Sequence, residues 1–236
     1  MLLLLIAAIS AGCQKSASDG KLSDSEMKEA SADVLGLAQG AKAGDPTSAN
    51  FAYEPKTQFG KDFKVLFVKS AGIEKTMAGI LNSINLEKIL SADRLSTPKG
   101  IEASKADLKK LEDASTKYYD DTGKVAVEMI DLISKAMGST PDSGSLVLTE
   151  TRQIAAKSAG LWAAAEKVLS IAEKGHATKA SGNFLRFPKD ADATAYTKAF
   201  EELQKVATDH DEFIAKTMAA RQERLASGMN KLNSMK

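Results

Sequence analysis

Only two histidines occur in the chain, and one of them is flanked by acids. His210 belongs to the run Asp209-His210-Asp211-Glu212, whose side chains suit a metal site or a general base near neutral pH. On a helix, however, neighbouring residues point to different faces, so the flanking aspartates are turned away from His210. We therefore interpret His210 as a half-buried packing residue and keep ligand binding as the alternative. His176 follows a predicted helix end, where a capping cation is expected.

Two aromatic residues provide further candidate sites. Tyr118 begins the run Tyr118-Tyr119-Asp120-Asp121, whose phenols and carboxylates could hold a divalent cation or a sugar. Trp162 lies among alanines, which leave space for its indole to pack in a core or to stack on a ligand. In both places core packing is the simpler interpretation. His210, Trp162 and Tyr118 are thus the candidate ligand-binding residues, and no catalytic set is predicted.

The sequence carries none of the common signatures of enzymes or nucleic-acid-binding proteins. It has no phosphate-binding glycine loop, no zinc-like spacing of cysteine and histidine, and no Gly-x-Ser-x-Gly motif. The net charge is +1 with acids and bases interleaved, which gives no basic surface for nucleic acid. These observations predict a protein that is not an enzyme, needs no cofactor, has no assigned metal site and binds no nucleic acid.

One cysteine stands where its chemistry has a recognised use. Cys13 is the only cysteine, and it follows a short apolar run at 2–9 and the small residues Ser10, Ala11 and Gly12. The run is far shorter than the ~20 residues of a membrane-spanning helix, but it suits the apolar core of a secretory signal peptide. An exported chain with one cysteine forms no internal disulfide, so another role is expected for the thiol.

Segment 10–13 resembles the lipobox of bacterial lipoproteins. Ala11, Gly12 and Cys13 fit that motif, whereas Ser10 occupies a position where leucine is usual. A basic segment after Met1 is also missing. The alternative is that Cys13 is an ordinary residue in an uncleaved signal peptide or a weak anchor helix.

The lipobox resemblance implies how and where the protein is held. It implies a signal peptide at 1–12, acyl chains such as palmitate on Cys13, and a lipidated, flexible tether at 13–22. The membrane is then one partner, reached through the lipid anchor. Gln14, in a place where aspartate commonly retains lipoproteins in the inner membrane, favours an outer-membrane protein that faces the periplasm.

Prolines and small polar residues divide the rest of the chain into helices. Each of the five prolines lies in a segment rich in Gly, Ser, Thr, Asp or Lys, outside the apolar helical patterns. Apolar residues at spacings of three and four predict five helices. Their predicted ranges are 24–43, 60–90, 97–137, 145–174 and 190–230. We therefore expect an all-α fold, an elongated antiparallel bundle that forms a single domain over 23–236.

Local signals refine this pattern. Thr97 is expected to cap the third helix, whose apolar seam is interrupted by Ser115 and Thr122. Lys174-Gly175 predicts a glycine stop at the end of the fourth helix. In the second helix, Gly72 and Gly79 allow a kink.

Residues 177–188 do not fit a helix and predict a short extended segment near 182–188. This segment reads Gly-Asn-Phe-Leu-Arg-Phe-Pro and is followed by an Ala-x-x-Tyr helix start at 193–196. Together they resemble the C-terminal part of the lipoprotein family typified by enterobacterial YiaF. That family shares the lipobox, the length and the helical body, and it offers no catalytic residues to transfer. The resemblance therefore implies an envelope location more than an activity.

Taken together, the sequence predicts a non-enzymatic, membrane-anchored lipoprotein of the bacterial cell envelope. Its helical surface is expected to bind a protein or another envelope component. The alternative function is that of a helical lipoprotein that binds a small molecule or a metal ion between helices, near His210 or Trp162. A bound ligand would distinguish the two by a change in mass or in melting temperature.

Overall fold

A computed structural model of the protein describes residues 21–42, 52–138 and 143–234. Its helices are α1 (Asp24–Lys42), α2 (Gln58–Ser83), α3 (Leu86–Ile89), α4 (Ala92–Leu95), α5 (Pro98–Met137), α6 (Ser143–Lys174) and α7 (Asp190–Ser234). Two short strands, β1 (Thr178–Lys179) and β2 (Leu185–Arg186), separate the last two helices. The predicted all-α helical-bundle fold is confirmed.

Side-chain caps define where two helices begin. Ser23 and Glu26 form a capping box at α1, in which the Glu26 carboxylate accepts a hydrogen bond from the Ser23 backbone N–H at 2.8 Å. The Ser23 hydroxyl in turn accepts from the Glu26 backbone N–H at 3.3 Å. At α5 the Thr97 hydroxyl accepts from the Gly100 N–H at 3.1 Å, which confirms Thr97 as the predicted cap.

The second predicted helix is too long by several residues. Helix α2 ends at Ser83, and Asn85 begins the separate short helix α3 by accepting a hydrogen bond from the Lys88 N–H at 3.2 Å. The apolar pattern continues past this break because Ile84 and Ile89 are both buried in one cluster with Leu111. The apolar spacing therefore predicted the buried residues correctly. It did not predict the helix break, because the break depends on the Asn85 side chain, which competes for backbone donors.

Helix α6 ends at Lys174 as predicted, but its stop residue needs a correction. The left-handed residue is His176, with φ of 49°, and not Gly175. The Ala177 N–H donates to the Ala172 carbonyl at 3.1 Å and the His176 N–H to the Glu173 carbonyl at 3.1 Å, the pattern of a Schellman motif. His176 thus caps the helix through its backbone conformation.

A β-hairpin confirms the predicted extended segment. Its strands are antiparallel, with Thr178 opposite Arg186 and Lys179 opposite Leu185. The Ala180 N–H donates to the Phe184 carbonyl at 2.9 Å, and Gly182 adopts a φ of 67° in the turn. A positive φ is readily adopted by glycine, so the turn conformation accounts for Gly182.

The chain groups into two compact units. Unit 1 contains the described residues up to Thr76, Tyr118–Arg152 and those from Lys216 onward, and unit 2 contains Met77–Lys117 and Gln153–Ala215. Helices α2, α5, α6 and α7 contribute residues to both units. The single domain over 23–236 stays a prediction.

Each unit has its own hydrophobic core. The core of unit 1 consists of Val34, Leu37, Phe63, Phe67, Val125, Met129 and Ile133. The main core of unit 2 consists of Leu95, Ile101, Leu108, Ala165, Val168, Leu169, Ala172, Ala177, Ala199 and Leu203. The polar seam positions of α5 are buried as the pattern predicted, with exposed fractions of 0% for Ser104, 5% for Ser115 and 6% for Thr122.

A buried carboxylate fixes the start of α2 in unit 1. Asp33, on α1, is 1% exposed. Its oxygens accept hydrogen bonds from the Tyr53 hydroxyl at 2.8 Å, the Thr57 hydroxyl at 2.7 Å, the Thr57 N–H at 2.8 Å and the Lys56 N–H at 3.0 Å. Thr57 then caps α2, because its hydroxyl accepts from the Gly60 N–H at 2.9 Å.

Candidate functional site

The predicted lipidation site lies outside the described residues. Cys13, the signal peptide at 1–12 and most of the tether therefore remain sequence predictions. Within the described ranges, no helix is both long enough and apolar enough to cross a membrane. The same ranges contain no group of three or more His, Cys, Asp or Glu side chains arranged to hold a metal ion.

His210 lies on a packing face of unit 2, as the sequence suggested. Its side chain is 18% exposed, and its Nε2 atom lies 3.1 Å from the Ser158 hydroxyl of α6. Its Nδ1 atom lies 3.2 Å from the carboxylate of Asp211, the next residue along α7. The imidazole therefore joins two helices of the unit by a hydrogen bond.

The side chains of Ser158, His210 and Asp211 contact one another in the same arrangement as the serine, histidine and aspartate of a serine-hydrolase triad. The solvent exposure of the serine and the aspartate, however, is opposite to what that chemistry requires. The nucleophile of a triad must reach the substrate, whereas Ser158 is only 3% exposed. The acid of a triad is normally sheltered so that it orients the imidazole, whereas the Asp211 side chain is 83% exposed. We conclude that this geometry favours a structural hydrogen bond over acyl transfer.

Trp162 borders a cleft of about 250 Å³ in unit 2. The other residues that line it are Lys105, Leu108, Lys109, Glu112 and Glu166. The indole packs against both hydrophobic clusters of the unit, and its Nε1–H is buried without a hydrogen-bond partner among the described residues. A buried indole N–H without a partner lowers stability. The Trp162 Nε1–H is therefore available to donate a hydrogen bond to a ligand in this cleft.

The charges around this cleft largely pair with one another. Lys109 forms ion pairs with Glu112 at 3.1 Å and Asp113 at 2.9 Å, and these carboxylates raise the pKa of Lys109. Lys105 pairs with Glu173 at 2.7 Å. Because its lysines are already paired, the cleft offers no concentrated charge of either sign to a small ion.

Tyr118 belongs to unit 1 and is a packing residue there. Its ring contacts the Tyr119 ring edge-on, with centroids 5.2 Å apart. Burial, followed by the negative charge of Glu74, raises the pKa of Tyr118 to about 12. The raised pKa reflects the burial of this phenol, and a buried phenol suits a packed position better than a cation site.

Among the large apolar side chains described in unit 1, Val65 on α2 is the most exposed, at 66%. Leu146 on α6 follows at 45%, Val68 on α2 at 43% and Val127 on α5 at 40%. Val65 also lines a groove of about 420 Å³. Its remaining lining residues are Asp62, Leu66, Glu128, Asp131, Leu132 and Lys135. We call Val65 and these lining residues the valine groove.

The rim of the valine groove carries a small excess of negative charge. Its acids are Asp62, Glu128 and Asp131, against the single cation Lys135. Lys69, next to Val68, forms an ion pair with Glu128 at 2.8 Å. The apolar floor with an acidic rim can accept an apolar side chain while it attracts basic neighbours.

The sequence did not predict a cluster of one carboxylate and two arginines in unit 1. Glu150 accepts hydrogen bonds from Arg221 Nε at 3.0 Å and from Arg224 Nη2 at 2.7 Å. Arg221 is 5% exposed, and its Nη2 atom is buried without a partner among the described residues. A helical wheel of α7 would have placed Arg221 beside the buried Thr217, but the partner on α6 depends on tertiary packing.

The valine groove was also missed, although the sequence held a signal for it. Val65 and Val68 fall outside the apolar stripe of α2 that contains Phe63, Leu66 and Phe67, so the helix is apolar on more than one face. An apolar residue beyond the core stripe is often a single exposed side chain without a role. Only the structure shows that Val65 lines a groove.

No protein-family model, curated protein or solved structure matches this chain.

Proposed function

We propose that the protein is a lipid-anchored, non-enzymatic envelope protein that binds a partner protein through the valine groove. The observation that carries the proposal is the exposure of Val65 at 66% beside a groove with an apolar floor. Exposed apolar side chains that cluster beside a groove mark binding surfaces more often than isolated ones do. The lipobox at 10–13 supports the location, and it is independent of the groove.

The groove best fits the apolar face of an amphipathic helix with basic flanking residues. Leu66 and Leu132 provide an apolar floor between two helices, the arrangement that accepts a third helix. Glu128 is paired with Lys69, which leaves Asp62 and Asp131 against Lys135 on the rim. This net negative charge favours a basic partner segment and increases its rate of association.

The anchor is tested by fractionation of cells that express either the wild type or Cys13→Ala. The wild type is expected in membranes, and the variant in the soluble fraction, because the acyl chains supply the membrane affinity. Ser10→Leu, which restores the usual lipobox residue, is the matched control and is expected to remain in membranes. A Cys13→Ala chain that stays in membranes to the same extent as wild type would contradict the anchor.

The docking surface is tested by a photo-reactive amino acid at position 65. The matched control is the same amino acid at Met218, an exposed apolar residue of unit 1 outside the groove. A partner is expected to crosslink from position 65 and not from 218, through a peptide that is amphipathic and basic. That peptide, made synthetically, should bind the full chain about tenfold more weakly when Val65→Asp is present, which corresponds to ~1.4 kcal/mol.

Other results of this experiment count against the proposal. Equal crosslinking from positions 65 and 218 would remove the preference for the groove. A crosslink to a second copy of this chain would mean self-association in place of a partner. A synthetic peptide that binds the wild type and Val65→Asp with equal affinity would show that the partner does not bind at the groove.

A second candidate function is small-molecule binding at the Trp162 cleft. It is favoured by the buried indole N–H that lacks a partner beside a cleft of about 250 Å³. Native mass spectrometry of the chain purified from its host would detect a retained ligand, and a Trp162→Phe variant should then lose it. A consistently ligand-free mass with unchanged Trp162 fluorescence across a metabolite mixture would contradict this function.

A further inference from the structure

The β-hairpin of unit 2 has one face toward the core and one toward solvent. Leu185 and Phe187 are partly buried against the hydrophobic core of the unit. Phe184, which precedes them, is 74% exposed, and Arg186 is also exposed. This alternation is that of a strand with period two, so Phe184 and Arg186 share the solvent-facing side.

The hairpin holds Phe184 in this exposed position. The Phe184 carbonyl accepts a hydrogen bond from the Ala180 N–H at 2.9 Å, which closes the turn. Asn183, next to it, accepts a hydrogen bond from the Ala92 N–H through its side-chain oxygen at 2.9 Å. Because neighbouring strand residues face opposite sides and Leu185 faces the core, Phe184 could turn to the core side only if the backbone changed and the Ala180 hydrogen bond were lost. Its exposure is therefore a property of the folded hairpin.

Three cations lie in or next to the hairpin along the chain. Lys174, Arg186 and Lys189 are exposed, and they have no ion-pair partner among the described residues. The acids of this region are largely engaged. Asp93 pairs with Lys179, Glu173 pairs with Lys105, and Asp190 and Asp192 occupy the first turn of α7, where they stabilise the helix start.

We propose that this face of the hairpin binds an anionic phospholipid bilayer, with the Phe184 ring among the headgroups and Arg186, on the same face, on the phosphates. An apolar ring flanked by basic side chains is the composition of interfacial membrane-binding segments. A single exposed ring supplies little area for a protein complex, which usually buries more than about 1,000 Å² in total. Contact with a bilayer, in contrast, can form through one exposed ring that inserts among the headgroups beside a basic side chain.

The contact rests on the hairpin alone and does not require acylation of Cys13. It would bring unit 2 to a bilayer surface whether the chain reaches the membrane through a lipid or not. Its test therefore reads the environment of position 184 directly, and failure of the Cys13 or valine-groove experiments leaves it unaffected.

The experiment places the only tryptophan of the chain at the hairpin. The full chain carries Trp162→Phe together with Phe184→Trp, and it is mixed with phosphatidylcholine vesicles that contain phosphatidylglycerol. The emission is expected to shift to the blue and to be quenched by brominated acyl chains. Adding Arg186→Glu should raise the lipid concentration at half-maximal shift about tenfold, because two charge units are lost near the surface.

Matched controls distinguish the hairpin from general adsorption. The same reporter at position 65, as Trp162→Phe with Val65→Trp, is expected to show neither the shift nor the quenching. Pure phosphatidylcholine vesicles are expected to give a weaker shift at position 184. No shift at 184, an equal shift at 65, or equal effects with anionic and neutral vesicles would each overturn the proposal. A shift that occurs only with an added envelope protein would overturn it in favour of a protein partner.

Discussion

The Asp33 carboxylate is ionised although it is buried, because donors surround it. Burial raises the pKa of Asp33, but hydrogen bonds from the Thr57 hydroxyl and N–H, the Lys56 N–H and the Tyr53 hydroxyl outweigh burial. The pKa therefore lies below its usual value. In the unfolded chain these donors are lost, so the ionised form stabilises the folded state.

Asp33→Asn is expected to destabilise unit 1 by about 3 kcal/mol, because the amide presents an NH₂ group to donors and leaves some of them unsatisfied. In the wild type this contribution is complete above the unfolded pKa of about 4 and is lost as the pH falls through the lower folded pKa. Thermal unfolding of both chains between neutral and acidic pH measures the difference. Tyr53→Phe, which removes one donor, is expected to lower stability by about 1 kcal/mol. Parallel pH profiles for wild type and Asp33→Asn would contradict this account.

Glu150 pairs with the buried guanidinium of Arg221, and its replacement is expected to lower the stability of the fold strongly. Glu150→Gln should destabilise the fold by about 3–5 kcal/mol, because Arg221 would keep a buried charge without a carboxylate. The Arg221 and Glu150 side chains are 6% and 12% exposed, so solvent screens them weakly. Chemical denaturation measures the change.

The matched control for Glu150 removes both charges. Glu150→Leu with Arg221→Met is expected to recover most of the lost stability, since apolar residues replace a buried ion pair with little net effect. Arg224, with a side chain 27% exposed, can turn toward water. If the double variant were less stable than Glu150→Gln, the uncompensated charge would not be the cause.

At the scale of secondary structure, Gly175 and His176 contribute to the end of α6 in different ways. His176 carries the left-handed conformation, and Gly175 is required for space, because an added Cβ would lie 2.8 Å from the Phe187 ring. His176→Gly is therefore expected to stabilise the protein by about 1 kcal/mol, since glycine adopts positive φ without steric strain.

Gly175→Ala is expected to act in the opposite direction, because the methyl group would displace Phe187 from the core of unit 2. Melting temperatures of the two single variants, measured side by side, check both signs. A higher melting temperature for Gly175→Ala than for wild type would show that Phe187 yields without loss. A lower one for His176→Gly would mean that the imidazole contributes more than its backbone strain removes.

The helices were largely predictable because burial imposes a period that can be read along the chain. Thr97 as a cap and the buried Ser115 and Thr122 followed from spacing alone. The end of α2 and the His176 stop did not, because Asn85 and His176 act through local hydrogen bonds and a backbone conformation that periodicity does not report.

The candidate site was less predictable than the helices. His210 was expected on a packing face, but its partner Ser158 lies 52 positions away, and no local pattern relates the two. Val65 could be recognised as lying outside the core stripe, yet a groove requires two helices. Cys13 is the reverse case, since its proposed role depends on a local motif that the described residues do not include.

At the scale of the whole molecule, continuous helices connect the two compact units. Helix α5 contributes Leu111 to the core of unit 2 and Val125 to the core of unit 1, both with 0% exposure. Melting either core would leave half of this helix without packing, and isolated helical segments of that length are marginally stable in water. The two units are therefore expected to unfold as one.

Native-state hydrogen exchange measures this coupling. The amides of Leu111 and Val125 are expected to exchange with the same opening free energy, equal to that of global unfolding. The amides at the start of α1 are the comparison, because they lie near a helix end and should exchange faster. Different opening free energies for Leu111 and Val125 would show that the units open separately.

The aromatic residues also give each unit its own optical signal. Trp162, the only tryptophan of the chain, lies in unit 2, whereas three of the four tyrosines, Tyr53, Tyr118 and Tyr119, lie in unit 1. Indole emission therefore reports on unit 2, and phenol absorbance mainly on unit 1, without any dye or engineered label. A stopped-flow instrument that records both wavelengths could show, from the unaltered chain, which of the two units gains its structure first.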